Sequence, residues 1–359
     1  MFKVFCGCLC WLGMTFGSMA HATSVVFLNP GTSTETFWVT YAQFMQAAAK
    51  DLDLDLRVRY SERDPQNTLR QAREALQGPQ RPDYLVLVNE QYVAPQIMRL
   101  SHNSGVKLLI VNNALTRDQV QLLNAGKYPD WLGSITADDE EAGYLMLKEL
   151  LSLRGPAQPG ERVDLLAFSG AKNTPAAQLR EQGLHRALRE HPEVYLRQLV
   201  HGEWTRERAF EQATQLFKRY PRTTLVWSAN DEMALGAMQA LRGSGRVPGR
   251  EVLFSAVNSS PEALQARLDG RISALVAGHF TVGGWAMVLL HDEARGVDIE
   301  QHGGRERRVK LHRLIDPRDA QRLLDMRAQE GDGVNFRALS AVGQPATYQY
   351  PFSLQLLLD

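Results

Sequence analysis

Asn230 and Asp231 stand where a β-rich run, TLVWSA (224–229), gives way to a helical run, DEMALGAMQAL. An amide and a carboxylate in that place can do two kinds of work. Either side chain can cap the helix by accepting from the free N–H groups of its first turn. In a parallel sheet the same place also faces the crevice where ligands sit. One of the two is expected to cap, leaving the other for a ligand. Reactive constellations are missing. FSG (168–170) lacks the flanking glycines of a nucleophile elbow. The nine histidines contain no helical i, i+4 pair of the kind that holds zinc. DLDLDL (51–56) has neither the glycine nor the downstream glutamate of a calcium loop. GSGRVPG (243–249) follows a helix rather than a strand, so it reads as a loop and not a phosphate cradle. The expectation is a binding protein with no catalytic residue, no metal and no cofactor.

The elements that position such groups follow from periodicity. Short β-rich runs are SVVFL (24–28), LDLRVRY (54–60), YLVLV (84–88), KLLIV (107–111), VDLLAF (163–168), YLRQLV (195–200), TLVWSA (224–229), VLFSAV (252–257) and SALVA (273–277). Helical runs lie between them. FWVTYAQFMQAAAKDL spans 37–52, PQNTLRQAREALQ opens on a proline, and DDEEAGYLMLKELLSL opens on four acids that suit the positive end of its dipole. Strands alternating with helices imply parallel sheets covered on both faces. The predicted fold class is α/β, with two doubly wound parallel-sheet lobes. The break between them is placed near WLGSITADD (131–139), after the polar insertion ALTRDQVQLLNAGKYPD.

The 359 residues carry 40 Lys+Arg against 40 Asp+Glu. That balance gives no reason to expect nucleic acid or an acidic membrane surface as partner. The first 22 residues differ from the rest. Lys3, the apolar run VFCGCLCWLGMTF and the small residues of AHA (20–22) form the pattern of a secretory signal peptide. Cleavage after Ala22 removes Lys3, leaving 39 basic and 40 acidic residues and a net charge of −1. It also removes Cys6, Cys8 and Cys10, the three cysteines of the chain. An exported, cysteine-free protein of this size points to the bacterial periplasm.

ANDEMALGAMQAL resembles the strand-to-helix segment of the type I periplasmic binding proteins, the group that includes ribose binders and the autoinducer-2 receptor. STETFWVTYAQFMQAAAKDLDLDLRV resembles the group's first βα unit, and TPAAQLREQGLHRAL the segment that carries a ligand-binding arginine. VNSSPEALQARLDGRISALVAGHFTVGGWAM resembles the return to the first lobe. The resemblance implies three hinge crossings, near 133–137, 277–280 and 308–313. The implied domains are a signal peptide (1–22), an N-terminal lobe (23–134 plus 279–308) and a C-terminal lobe (135–278 plus 309–335). The tail (336–359) lies beyond the resemblance.

It also implies a ligand-binding set: Glu35, Phe37, Trp38, Asn112, Asn113, Arg180, Trp204, Arg206, Asn230, Asp231, Asn258 and His279. Phe37 and Trp38 fall where the family stacks aromatic rings on the C–H faces of a sugar. Several positions depart from the family. Glu35 replaces an asparagine, Asn112 and Asn258 replace aspartates, Val257 replaces a pocket tryptophan, and Gly278 replaces a glutamine or a second arginine. These departures argue against simple ribose and against a borate diester. The expected ligand is small, polar and sugar-like. The expected partner is an ABC permease or, alternatively, a membrane sensor kinase. Removal of Arg180 is expected to abolish binding without unfolding the protein.

Overall fold

Parallel strands that are covered on both faces must be apolar along their whole length, and the central strands of this chain are. The computed structural model describes residues 22–124, 127–328 and 333–358; the region read as a signal peptide lies almost wholly outside them. Among the described residues two six-stranded sheets form. The first takes β1 (Ser24–Asn29), β2 (Asp55–Tyr60), β3 (Tyr84–Val88), β4 (Lys107–Val111), β5 (Trp131–Ala137) and β11 (Glu306–Val309). Their order is β11-β5-β4-β3-β1-β2, and every pair is parallel. The second takes β6 (Val163–Ser169), β7 (Val194–His201), β8 (Leu225–Ser228), β9 (Leu253–Val257), β10 (Ala274–Ala277) and β12 (Arg313–Leu314). Its order is β12-β10-β9-β8-β6-β7, parallel except for the β10–β12 pair.

Alternation along a strand sends neighbouring residues to opposite faces. In β1, Val25 and Phe27 join one apolar cluster while Val26 and Leu28 join another. Helices α1 (Thr36–Asp51) and α10 (Val282–Ala294) cover the first face through Tyr41, Phe44 and Trp285. α2 (Pro65–Gln77) and α3 (Ala94–Ser101) cover the second through Leu69, Leu76 and Ile97. The second sheet is built in the same way with α5 (Asp139–Arg154), α6 (Pro175–Glu190), α7 (Arg206–Arg219), α8 (Asp231–Gly243) and α9 (Pro261–Leu268).

The polar insertion holds a short helix, α4 (Arg117–Leu123). A reciprocal capping box of Thr116 and Gln119 explains why so polar a stretch turns helical.

The segment read as the break between lobes is itself a strand. β5 pairs with β4 and β11 through Ala137, so the chain leaves the first sheet only at Asp138. Its pattern is interrupted by Gly133 and Ser134, which hid it. Gly133 has φ 119°, and a Cβ there would sit 1.9 Å from the carbonyl oxygen of Arg305. The close β5–β11 approach is the reason for the glycine. The chain returns at Gly278, between β10 and α10, and passes back to the second sheet at 310–312, between β11 and β12. After α11 (Pro317–Ala328), the tail docks on α1 and α10. Phe336 lies against Phe44 and Trp285, and Phe352 stacks on Trp285 with centroids 5.2 Å apart. Among the described residues no helix is long and apolar enough to cross a membrane.

Candidate functional site

Between the two sheets lies a cleft lined by residues from both of them. Its walls come from successive strand ends, as expected for doubly wound sheets. Glu35, Phe37 and Trp38 follow β1, Arg63 follows β2, Glu90 follows β3, and Asn112 and Asn113 follow β4. On the other side Ala176 and Arg180 follow β6, Trp204 follows β7, Asn230 follows β8, Asn258 follows β9, and His279 follows β10. Four of these residues are non-glycines with left-handed backbones: Arg63 (φ 61°), Asn112 (63°), Trp204 (67°) and Asn258 (99°). Such conformations are costly and tend to gather at binding sites.

Ten of the twelve residues expected from the sequence therefore surround one space. Two do not. Arg206 is the first residue of α7, and its helix phase turns it outward. Its Nε donates to Glu232 at 2.8 Å and its Nη2 to Glu262 at 2.6 Å. Asp231 lies behind the wall. Its Oδ1 accepts from Asn258 Nδ2 at 2.8 Å and its Oδ2 from the Ser260 amide at 3.1 Å, so it aims Asn258. Asn230 both caps and lines. Its Oδ1 accepts from the Met233 amide at 2.9 Å while its Nδ2 donates to the Trp204 carbonyl at 3.0 Å.

Arg63 and Glu90 were missed, although each directly follows a strand and the strand-end rule finds both. Arg63 knits the first lobe's wall together. Its Nε donates to Glu35 at 3.0 Å, its Nη2 to the same carboxylate, and its Nη1 to Glu90 at 2.8 Å. Asn113 Nδ2 adds a donor to Glu90 at 2.9 Å. Burial pushes the Glu90 carboxyl above its ordinary range, against the pull of Arg63. For Arg63, burial alone would lower its basicity, but the two carboxylates raise it.

On the opposite wall Arg180 is buried (3% exposed). Its Nε donates to Asp139 at 2.8 Å, its Nη1 to the Ala229 carbonyl at 2.6 Å, and its Nη2 to His279 Nε2 at 3.3 Å. His312 Nε2 lies 3.3 Å from the same Asp139. Burial would raise Asp139, but Arg180 and His312 hold it well below the usual carboxylate range. Removing Arg180, expected from the sequence to abolish binding without unfolding the protein, would also carry a stability cost, because Asp139 would be left buried beside no guanidinium.

Two glycines seat the tryptophans. A Cβ at Gly31 would lie 2.2 Å from the Trp38 ring, and one at Gly170 would lie 2.0 Å from the Trp204 ring. Phe37 stacks on His279 with centroids 4.6 Å apart, and Arg180 lies over the Trp204 ring. Gly278 has φ 130°, and its Cβ would meet the Leu311 carbonyl oxygen at 2.0 Å. The hinge therefore bars any side chain at that crossover position, and His279 reaches the cavity instead. Four buried atoms on the lining have no hydrogen-bond partner: Asn113 Oδ1, Asn258 Oδ1, Trp204 Nε1 and His279 Nδ1. Buried polar atoms are rarely left so. Because His279 Nε2 accepts from Arg180, its Nδ1 carries the proton; together the four offer two acceptors and two donors, a set matched to hydroxyls. Among the described residues no three His, Cys, Asp or Glu side chains are placed to hold a metal ion.

A family model for the periplasmic binding protein domain matches residues 25–297. The chain belongs to that family. A crystal structure of a periplasmic sugar-binding protein from Pseudomonas fluorescens is 64% identical, with a TM-score of 0.88, over 94% of this chain and 100% of that one. The ribose import binding protein of Escherichia coli K12 is 22% identical over 269 residues, 74% of this chain and 83% of that protein. The galactofuranose-binding protein of the same organism is 24% identical over 153 residues, 41% of this chain and 46% of its own length. This chain is a binding protein rather than an enzyme.

His279 ties the stability of the fold to pH. Burial first, then the charges of His312 and Arg180, push its imidazole well below the ordinary value, with Asp139 opposing them. In the unfolded chain it takes a proton near pH 6.5. The unfolded state then binds more protons than the native one, so stability present above that pH falls as pH drops below it. Urea unfolding from pH 7 to pH 5 is expected to show a loss of up to about 1.4 kcal/mol per pH unit from this group. His279→Gln should flatten that slope, and an unaltered slope in the variant would show that His279 is not its source.

Proposed function

We propose that this protein captures a neutral, hydroxyl-rich monosaccharide in the interlobe cleft, in the periplasm, and presents it to an ABC import permease. The observation that carries this reading is the set of unpartnered polar atoms at Asn113, Trp204, Asn258 and His279, interleaved with the Phe37, Trp38 and Trp204 rings. Aromatic faces suit sugar C–H surfaces, and orphan amides suit hydroxyls. Charge supports the neutral class. Arg63 is matched by Glu35 and Glu90, and Arg180 by Asp139. Neither guanidinium is free to hold a carboxylate or phosphate. The names of the relatives agree with a sugar and with import, and no observation favours a sensor kinase as partner.

Within sugars, the substituted positions disfavour ribose and a borate diester. Asn112 and Asn258 both donate and accept where carboxylates only accept, and Gly278 supplies no side chain. Freshly purified protein should be denatured and the released small molecule identified by mass spectrometry. A matching thermal-shift screen should cover neutral sugars, polyols, sugar acids and amines. At about a hundredfold excess over its dissociation constant, the true ligand should add roughly 2.7 kcal/mol of stability. A neutral monosaccharide other than ribose is expected in both assays. A released and stabilising sugar acid, sugar phosphate or amine would overturn the assignment.

A further inference from the structure

The tail is fastened to the first lobe and then crosses the hinge. Asp292 of α10, fully buried, accepts from Ser340 Oγ at 2.5 Å, the Ala341 amide at 2.6 Å and Tyr350 Oη at 2.8 Å. With Phe336 and Phe352 packed on Trp285, this fixes the tail to α10. The last residues leave that lobe. Leu354 is buried (1% exposed), and its Cβ lies 3.5 Å from where a Cβ would stand on Gly278, at the second crossing. Arg313 of β12, just past the third crossing, donates to Gln355 Oε1 at 2.5 Å. Arg322 of α11 donates to the Leu358 carbonyl. β12 belongs to the second sheet, and α11 packs on α9 of that lobe.

We propose that the C-terminal segment is a strap across the hinge. Its first part is locked to the N-terminal lobe, and its last residues clamp the crossings and the C-terminal lobe, so that it sets the ligand-free balance between open and closed arrangements. The physical argument is one of linkage. Three crossings alone let the lobes pivot by backbone rotation at 138, 278 and 310–312. A fourth connection made of a buried leucine and two arginine bonds must shear or slide when they do. It therefore favours whichever arrangement keeps those contacts, and a ligand adds its own differential affinity to that bias. The contact at Gly278 lies one residue from His279, so the strap reaches the edge of the cavity. This holds whichever ligand the cleft takes.

The test uses interlobe distances by pulsed electron resonance in the full mature chain, freed of copurified ligand. Outside residues 1–22 there is no cysteine, so spin labels at Arg73→Cys and Glu211→Cys, one exposed site per lobe, report without background. Truncation after Ser353, and separately the substitutions Leu354→Ser and Arg322→Ala, are compared with the parent. Loss of one buried leucine should move the open-to-closed ratio about tenfold. A shifted or broadened distance distribution is expected in all three variants, with the largest change in the truncation. If truncation does not yield folded protein, the two point variants decide. A lower melting temperature with an unchanged distance distribution would show that the tail only adds stability, and would overturn the strap.

Discussion

Arg180→Ala is expected to destabilise the ligand-free protein by about 3–5 kcal/mol, the usual cost of removing one partner from a buried ion pair. Arg180 and Asp139 are each no more than 3% exposed, and the pair sits beside His312, with no water-facing side for the carboxylate to turn to. Equilibrium urea unfolding measures the loss. Removing both charges with Arg180→Met and Asp139→Asn should recover much of it, because no bare buried charge then remains. A loss below about 1 kcal/mol for Arg180→Ala would mean that the pair is solvated, as exposed pairs of that worth are.

Gly183→Ala is expected to cost about 3 kcal/mol, the upper end for overpacking, because what it meets is backbone and cannot turn aside. A Cβ at Gly183 would lie 1.9 Å from the Glu140 carbonyl oxygen, and one at Gly143 would lie 2.0 Å from that of Arg180. α5 and α6 thus cross backbone to backbone at two glycines. Any methyl there forces the helices apart. The displacement also strains the site, since α5 begins with Asp139 and α6 carries Arg180. Unfolding midpoints together with ligand affinity should both fall. An unchanged midpoint would show that the helices separate at no cost.

The architecture was legible because hydrophobic period and punctuation agree along most of the chain. Short β-rich runs such as YLVLV and KLLIV suit central parallel strands, and both form them. β5 escaped because Gly133 and Ser134 break its apolar run for a reason that lies elsewhere in the sequence, the approach of Arg305. Much of the cavity wall was legible from a single rule, that polar residues at strand ends face the ligand crevice. Where that rule was set aside for likeness to relatives, Arg63 and Glu90 were passed over. Arg206 falls outside the lining because it opens α7 just after the cap Thr205, whereas Trp204 stands in the turn before it. The Arg180–Asp139 pair was not legible at all. It joins residues 41 apart through a helix crossing that no local pattern reveals. The tail was equally opaque, since its contacts depend on Trp285 and Asp292, not on any period of its own.

The central claim is that a neutral sugar is held between the two lobes by the aromatic and orphan polar groups of the cleft. Calorimetric titration of the mature protein and of Trp204→Ala, with a panel of neutral monosaccharides, tests it most directly. Trp204 offers a ring face and a buried indole N–H without a partner. The account predicts that at least one sugar binds the parent in a one-to-one complex, and that the variant binds it roughly tenfold to a hundredfold more weakly while remaining folded. No binding by any neutral sugar, or equal affinity in the parent and Trp204→Ala, would contradict it.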